Sequence, residues 1–228
     1  MSYVLLPIAA LVTIGAYALS LDPPAMSLLL REGGPIELGS VVLYLVCIAL
    51  LLPAFAVRGT VTRWYVVVLL VFLAFRELDG DKKLFTLGLL KSRQYTGDAP
   101  LSEKLIGIVL LVVLALSLGL LAWRHGRAWL EAVLRLRPWA WAVGAGLAFM
   151  ATSKLVDGAQ RKLAPFGIEL TPQAERWAFA YEEVAELGIG LMFAAALVNI
   201  ALDRRRAPAE PSSTRRGWPG WRSSADRT

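Results

Sequence analysis

Cysteine and histidine are almost missing from this 228-residue chain, which has one of each, Cys47 and His125. A lone cysteine allows no intramolecular disulfide and no thiolate-rich structural zinc site. A lone histidine excludes bis-histidine haem ligation and a His-cluster metallohydrolase. Charge is scarce as well: Asp, Glu, Lys and Arg make up 18% of residues, against about 25% in soluble domains. Apolar residues take their place at 57%, with a mean hydropathy of +0.56. So little charge cannot cover so much apolar surface in water. An ordinary cytosolic enzyme, a disordered chain and a secreted disulfide scaffold are all excluded. The net charge of +6 sits on a chain of long apolar runs, so anionic lipid headgroups, not nucleic acid, are its expected partner.

A bilayer's hydrocarbon core of about 30 Å takes about 20 helical residues to cross. Six segments meet that requirement: residues 4–21, 36–57, 62–78, 105–123, 139–157 and 177–202. The connections carry Pro and Gly breaks, at Asp22-Pro23-Pro24, Gly33-Gly34-Pro35, Gly97-Asp98-Ala99-Pro100, Pro138 and Pro165. Trp64, Tyr65, Trp123, Trp139, Trp141 and Trp177 lie near span ends, where aromatic residues favour the membrane–water boundary. The expected fold is all-α, a polytopic transmembrane helical bundle over residues 1–202. Ala16-Tyr17-Ala18 fits a signal-peptide cleavage site, but Met1-Ser2-Tyr3 supplies no basic n-region. The first span is therefore expected to be retained. Residues 203–228 begin with Asp203-Arg204-Arg205-Arg206 and continue in Pro, Ser, Gly and Arg. They are expected to form a disordered basic tail drawn to anionic headgroups. With both termini inside, 13 of the 24 basic residues face the cytoplasm and 14 of the 18 acids face the other side. The short Arg-only loops at 58–63 and 124–137 support that orientation.

Nine of those 14 acids cluster at four span ends on one side. Glu37 opens the second span, Arg76, Glu77 and Asp79 close the third, Lys154 and Asp157 close the fifth, and Glu182, Glu183 and Glu186 open the sixth. At about 1.5 Å of rise per residue, Glu77 stands about 21 Å from Arg63, and Lys154 and Glu186 each stand about 24 Å from Pro138 and Leu202. All fall in the outer third of the membrane. Ionisable groups at that depth cost a few kcal/mol each unless they face one another or water. Glu182 and Glu186 share a helix face, as do Lys154 and Asp157. Gly144, Ala148, Ala151, Gly188 and Gly190 are small enough to let spans five and six approach closely.

Two readings of this layer stand side by side. In one, the charges are helix-end ion pairs such as Arg76 with Asp79, Asp79 with Lys83 and Asp157 with Arg161. Asp79, Asp81, Lys82, Lys83 and Glu183 lie close enough to the interface for that reading. In the other, Glu77, Lys154, Asp157, Glu182 and Glu186 form a functional site, catalytic or binding, with Glu37, Arg76, Asp79 and Arg161 contacting a ligand. Carboxylates without His or Cys suit hard cations. Glu77, Asp157, Glu182 and Glu186 would then hold Mg2+, Ca2+ or Mn2+. Crowded carboxylates also suit proton exchange, and Lys154, Arg76 and Arg161 could hold an anionic headgroup. Residues 82–95, apolar in the middle and basic at both ends, read as an interfacial or re-entrant cap on the layer, or as a packed loop.

Asp157-Gly158-Ala159-Gln160-Arg161 is similar to the start of the CDP-alcohol phosphotransferase signature, but no paired Asp follows Gly167, so its metal ligands are missing. Ser153 beside Lys154 does not form a dyad, since adjacent helical residues point apart. His125 falls in the Arg-rich loop and is expected to be solvated. The motifs Arg-Glu-Gly-Gly-Pro-Ile-Glu (31–37), Phe-Arg-Glu-Leu-Asp (75–79) and Glu-Glu-Val-Ala-Glu-Leu (182–187) resemble a group of uncharacterised bacterial multi-pass inner-membrane proteins. The resemblance implies that location and about six helices, and it marks Glu32, Glu37, Glu77, Asp79, Glu182, Glu183 and Glu186 only as motif positions. The expected function is a carboxylate-rich intramembrane site open to the extracytoplasmic side, for a cationic, metal-bound or lipid-headgroup ligand. A small proton- or cation-coupled carrier and a non-catalytic partner subunit are the alternatives, and the residues leave open whether the protein is an enzyme. A carrier needs a polar path to the cytoplasm, and the cytoplasmic halves of spans three, five and six carry no internal charge.

Overall fold

The computed structural model describes residues 2–31, 33–56 and 64–206, and no strand occurs among them. Ten α-helices are described: α1 Ser2–Ser20, α2 Pro23–Leu30, α3 Pro35–Ala56, α4 Trp64–Glu77, α5 Gly80–Leu84, α6 Arg93–Thr96, α7 Leu101–Leu134, α8 Pro138–Val156, α9 Ala159–Leu163 and α10 Pro172–Arg206. Helices satisfy their own backbone hydrogen bonds, which is what a chain this apolar needs in lipid. Four stretches are long and apolar enough to cross a membrane: Pro23–Leu52, Leu101–Leu134, Pro138–Val156 and Pro172–Asp203. The segments read as spans one and three fall on shorter helices, α1 and the 14-residue α4. Glu32, the loop at 58–63 and the tail from 207 onward lie outside the described residues.

The boundaries differ from the sequence reading where proline and glycine act otherwise than as breaks. Pro23 and Pro24 open α2 instead of ending a helix, because the first turn needs no N–H from them. Pro172 likewise opens α10, five residues earlier than expected, with Thr171 Oγ1 accepting a hydrogen bond from the Ala174 N–H at 3.2 Å. Residues 124–134 are helix, not loop: α7 runs on through Gly126 and stops near Leu136, which has φ +54° ahead of Pro138. One glycine costs a helix about 1 kcal/mol and does not end it. Residues 203–206, expected in the tail, are the last turn of α10.

α10 is the central post. It packs against α8, α3 and α1, while α4 packs on α3 and α7 on α4. In lipid this association rests on van der Waals fit between close backbones. A Cβ on Gly190 would lie 2.9 Å from Leu43 Cβ, and one on Gly188 would lie 3.0 Å from the Phe149 ring. On α8 the small residues that face inward are Ala142, Gly146 and Ser153, whereas Ala148 and Ala151 face outward. The expected stripe of Gly144, Ala148 and Ala151 was thus taken from the wrong side of the helix, since 100° per residue separates these sets.

Residues 82–95 form a loop of two short helices around buried Phe85, Leu89 and Gln94. Glu103, in the first turn of α7, accepts from the Thr86 N–H and hydroxyl and from Gln94 Nε2, at 2.9–3.0 Å. The loop is therefore packed on the start of α7, and its side chains Leu84, Leu90, Lys83, Lys91 and Arg93 are exposed.

Candidate functional site

Four helices bring ionisable residues to one end of the bundle. Glu37 lies in the first turn of α3, Arg76 and Glu77 in the last turn of α4, Lys154 in the last turn of α8 with Asp157 just after it, and Glu182, Glu183 and Glu186 on α10. α4 stops where it does because Asp79 turns left-handed at φ +51°, a conformation Asp tolerates better than most residues. Gly80 follows, and a Cβ there would overlap the Phe75 ring.

Glu186 is the centre of the layer. Its Oε1 accepts from Arg76 Nη2 at 3.0 Å and lies 3.0 Å from Lys154 Nζ, so α4 and α8 are both tied to α10 through one oxygen. The Glu186 side chain is 14% exposed. Lys154 also approaches Asp157 Oδ2 at 3.5 Å, and Lys162 Nζ donates to the Lys154 carbonyl at 2.7 Å, closing the end of α8. Glu77 is 7% exposed, and the charges of Glu186, Arg76, Glu37 and Lys154 reach it. Glu182 is half-buried beside the charges of Asp157, Glu186, Lys154 and Lys162.

The helix-end pairs read from spacing form with other partners. Asp79 pairs with Lys82 at 2.7 Å, Lys83 donates to the Leu78 carbonyl at 2.9 Å, and Arg161 is exposed. Asp79 and Arg161 thus stand outside the Glu186 network. Glu37 accepts from the Gly33 N–H at 2.6 Å, pinning the turn that enters α3. The Ser153 hydroxyl bonds back to the Met150 carbonyl at 3.2 Å and does not address Lys154.

Tyr44 is absent from the sequence reading of the layer, and Glu183 is present in it only among the interfacial charges. Glu183, grouped there with interfacial pairs, is half-buried and feels Glu186, Glu182, Glu37 and Glu77. Its i,i+3 relation to Glu186 and i,i+7 relation to the tightly packed Gly190 carried that signal. Tyr44 is fully buried, and its hydroxyl has no hydrogen-bond partner among the described residues. The charges it feels are Glu77, then Glu186, then Arg76. The Glu37, Val41, Tyr44 spacing on α3 puts it two turns below Glu37. Leaving such a hydroxyl unpaired costs about 1–3 kcal/mol.

Six carboxylates (Glu37, Glu77, Asp157, Glu182, Glu183 and Glu186) therefore share this end with Arg76 and Lys154. Glu77, Glu182 and Glu183 have no ion-pair partner among the described residues. No group of three or more His, Cys, Asp or Glu is arranged to hold a metal ion among the described residues. Cavities of about 240 Å³ and 420 Å³ lie along the first turns of α10, and neither is lined by a residue of the layer.

The opposite end is built differently. His125 is half-buried, not solvated, and its Nε2 lies 2.7 Å from the hydroxyl of buried Tyr65, with the Arg124 guanidinium 5.8 Å above the Tyr65 ring. No protein-family model matches the chain, and no curated protein and no solved structure proves similar to it.

Proposed function

We propose that this chain is a six-span protein of the bacterial inner membrane, with both termini cytoplasmic, and that its charged layer binds a cation from the extracytoplasmic side. One observation carries the reading: Arg76 and Lys154 are both engaged by Glu186, while Glu77, Glu182 and Glu183 form no salt bridge among the described residues. At an effective dielectric near 20, two carboxylates about 6 Å apart repel by about 3 kcal/mol. A bound cation relieves that repulsion. The exposed arginines at the other end, Arg124, Arg127, Arg135 and Arg137, support the orientation. The three motifs that resemble bacterial multi-pass inner-membrane proteins support the location. Below Glu186 the remaining turns of α10 through Leu202 carry no charge, which favours a one-sided binding site over a carrier's path.

The test is equilibrium binding to the purified protein in phosphatidylcholine nanodiscs, with methylammonium, tetramethylammonium, Na+, Mg2+, Ca2+ and Mn2+ as probes. At least one cation should bind saturably, and Glu77→Gln with Glu183→Gln should weaken it at least tenfold. Absence of saturable binding by all six, or binding indifferent to the double substitution, overturns the proposal.

A further inference from the structure

α1 ends at Ser20, and Pro23 and Pro24 start α2 almost at once, so the chain turns and seats α2 through Met26 and Leu30 in a buried cluster with Ala18 and Ala180. A cavity of about 240 Å³ remains between α2 and the first turns of α10, lined by Pro23, Met26, Ser27, Glu175, Arg176 and Phe179. That is the volume of about eight water molecules, enough for a phosphodiester and its alcohol and too little for acyl chains. Arg176 is half-buried, and its Nη2 donates to the Leu21 carbonyl at 3.2 Å and to Met26 Sδ at 3.7 Å, which holds the guanidinium against a wall of the cavity. Both acceptors are neutral, so they position the charge without compensating it. Neither Arg176 nor Glu175 forms a salt bridge among the described residues. The other three N–H groups of the guanidinium find no acceptor there either. A partly desolvated guanidinium with an open fork suits a phosphate, which it grips through parallel hydrogen bonds. Glu175, exposed and next in the chain, sets a negative charge at the same cavity.

Height along α10 says what meets this cavity. The stretch Pro172–Asp203 has 32 residues, about 48 Å of helix, against about 30 Å of hydrocarbon and about 40–45 Å with both headgroup layers. Counted from Leu202, Arg176 stands about 39 Å away, among the headgroups. Trp177, 58% exposed, and Phe179, 40% exposed, mark the same boundary. We propose that the cavity binds the headgroup of a zwitterionic membrane phospholipid, its phosphodiester on Arg176, its cationic end at Glu175 and its glycerol end against Met26 and Phe179. The neighbouring positive and negative charges of the headgroup match Arg176 and Glu175. An anionic lipid supplies the phosphate without the cation, and the Glu175 carboxylate counts against it. This site is separate from the layer around Glu186 and does not depend on the ligand of that layer.

The experiment titrates the delipidated protein, in a non-ionic detergent, with phosphatidylethanolamine or phosphatidylglycerol and counts bound lipid by native mass spectrometry. Phosphatidylethanolamine should fill a saturable site about fivefold or more tightly than phosphatidylglycerol. Arg176→Gln and Ser27→Trp should each weaken it about tenfold or more. Ser27→Trp fills the cavity from α2 and leaves the Arg176 bonds to Leu21 and Met26 in place, so it separates loss of the site from loss of the fold. Glu175→Gln should keep binding and erase the preference between the two lipids. Lys91→Gln, which removes an exposed base in the loop after α5, should change neither. Equal binding of the two lipids to wild type, or a preference untouched by Glu175→Gln, overturns the zwitterion assignment. Binding that survives Arg176→Gln or Ser27→Trp, or that falls as much in Lys91→Gln, overturns the site. Displacement of the lipid by excess inorganic phosphate overturns a phospholipid as the occupant.

Discussion

Two tyrosines, each almost completely buried, mark the difference between the two ends of this molecule. Tyr65, 1% exposed, opens α4 and shares a 2.7 Å hydrogen bond with His125 of α7. Tyr44, 0% exposed, has a hydroxyl that bonds to nothing among the described residues. Arg124 lies over the Tyr65 ring, and Arg127, Arg135 and Arg137 are exposed on α7 and the turn after it. Around Tyr44 the charged side chains of four helices turn inward and are half-buried or better. The same ionisable residue types thus serve one end as an exposed rim and the other as an internal layer. At the Tyr65 end the buried hydroxyl has a partner in the chain. At the Tyr44 end it has none among the described residues.

The largest effect that sharpens this contrast is expected at Glu186. Its Oε1 is the shared partner of Arg76 and Lys154, both partly exposed. Glu186→Gln leaves two cations without that carboxylate, and because both are partly exposed the loss is about 2–3 kcal/mol, below that of a fully buried pair. Reversible unfolding by SDS in mixed micelles should show that loss. A loss under about 1 kcal/mol would mean the layer is wetter than its geometry implies. Next comes Gly190→Ala. Its new Cβ would press on Leu43 across the α3–α10 contact, and overpacking of this kind costs about 2 kcal/mol. Gly126→Ala, with nothing within 4 Å of its Cβ, should instead gain up to about 1 kcal/mol from helix propensity. Tyr65→Phe is smaller, a loss of about 1 kcal/mol for the hydrogen bond to His125. The same unfolding assay orders all of them.

Much of this was legible beforehand. Hydropathy alone identified an all-helical chain with several apolar helices, and Glu77, Lys154, Asp157 and Glu186 were picked out by their depth along helices. Depth is a one-dimensional quantity that rise per residue supplies. Rotation about the helix axis is harder to read: Glu183 and Glu182 lie at nearly equal depth, and only the packed structure shows that Glu183 is half-buried within reach of the charges of Glu186, Glu182, Glu37 and Glu77. The same blindness placed Ala148 and Ala151 in the interface where Ala142, Gly146 and Ser153 belong. Tyr44 could not be found by charge at all. Its significance comes from a missing partner, which a sequence cannot display. Asp79 and Arg161 sat next to the right residues, but the αL turn at Asp79 and the exposed α9 take them out of the network.

The smallest expected effect is the most pointed. Tyr44→Phe removes a hydroxyl that makes no hydrogen bond among the described residues, and keeps the ring that packs in the cluster with Val41, Cys47, Leu70, Ala74 and Ile189. Without ligand, the variant should unfold within about 0.5 kcal/mol of wild type or slightly later, because deleting an unpaired buried polar group relieves its desolvation cost. Tyr65→Phe, the same chemical change at the other end, should lose about 1 kcal/mol. The pair is informative because ring size, burial and substitution are matched and only the hydroxyl's partner differs. If both variants lose stability equally, Tyr44 has a partner within the folded chain. The contrast between the two ends then disappears.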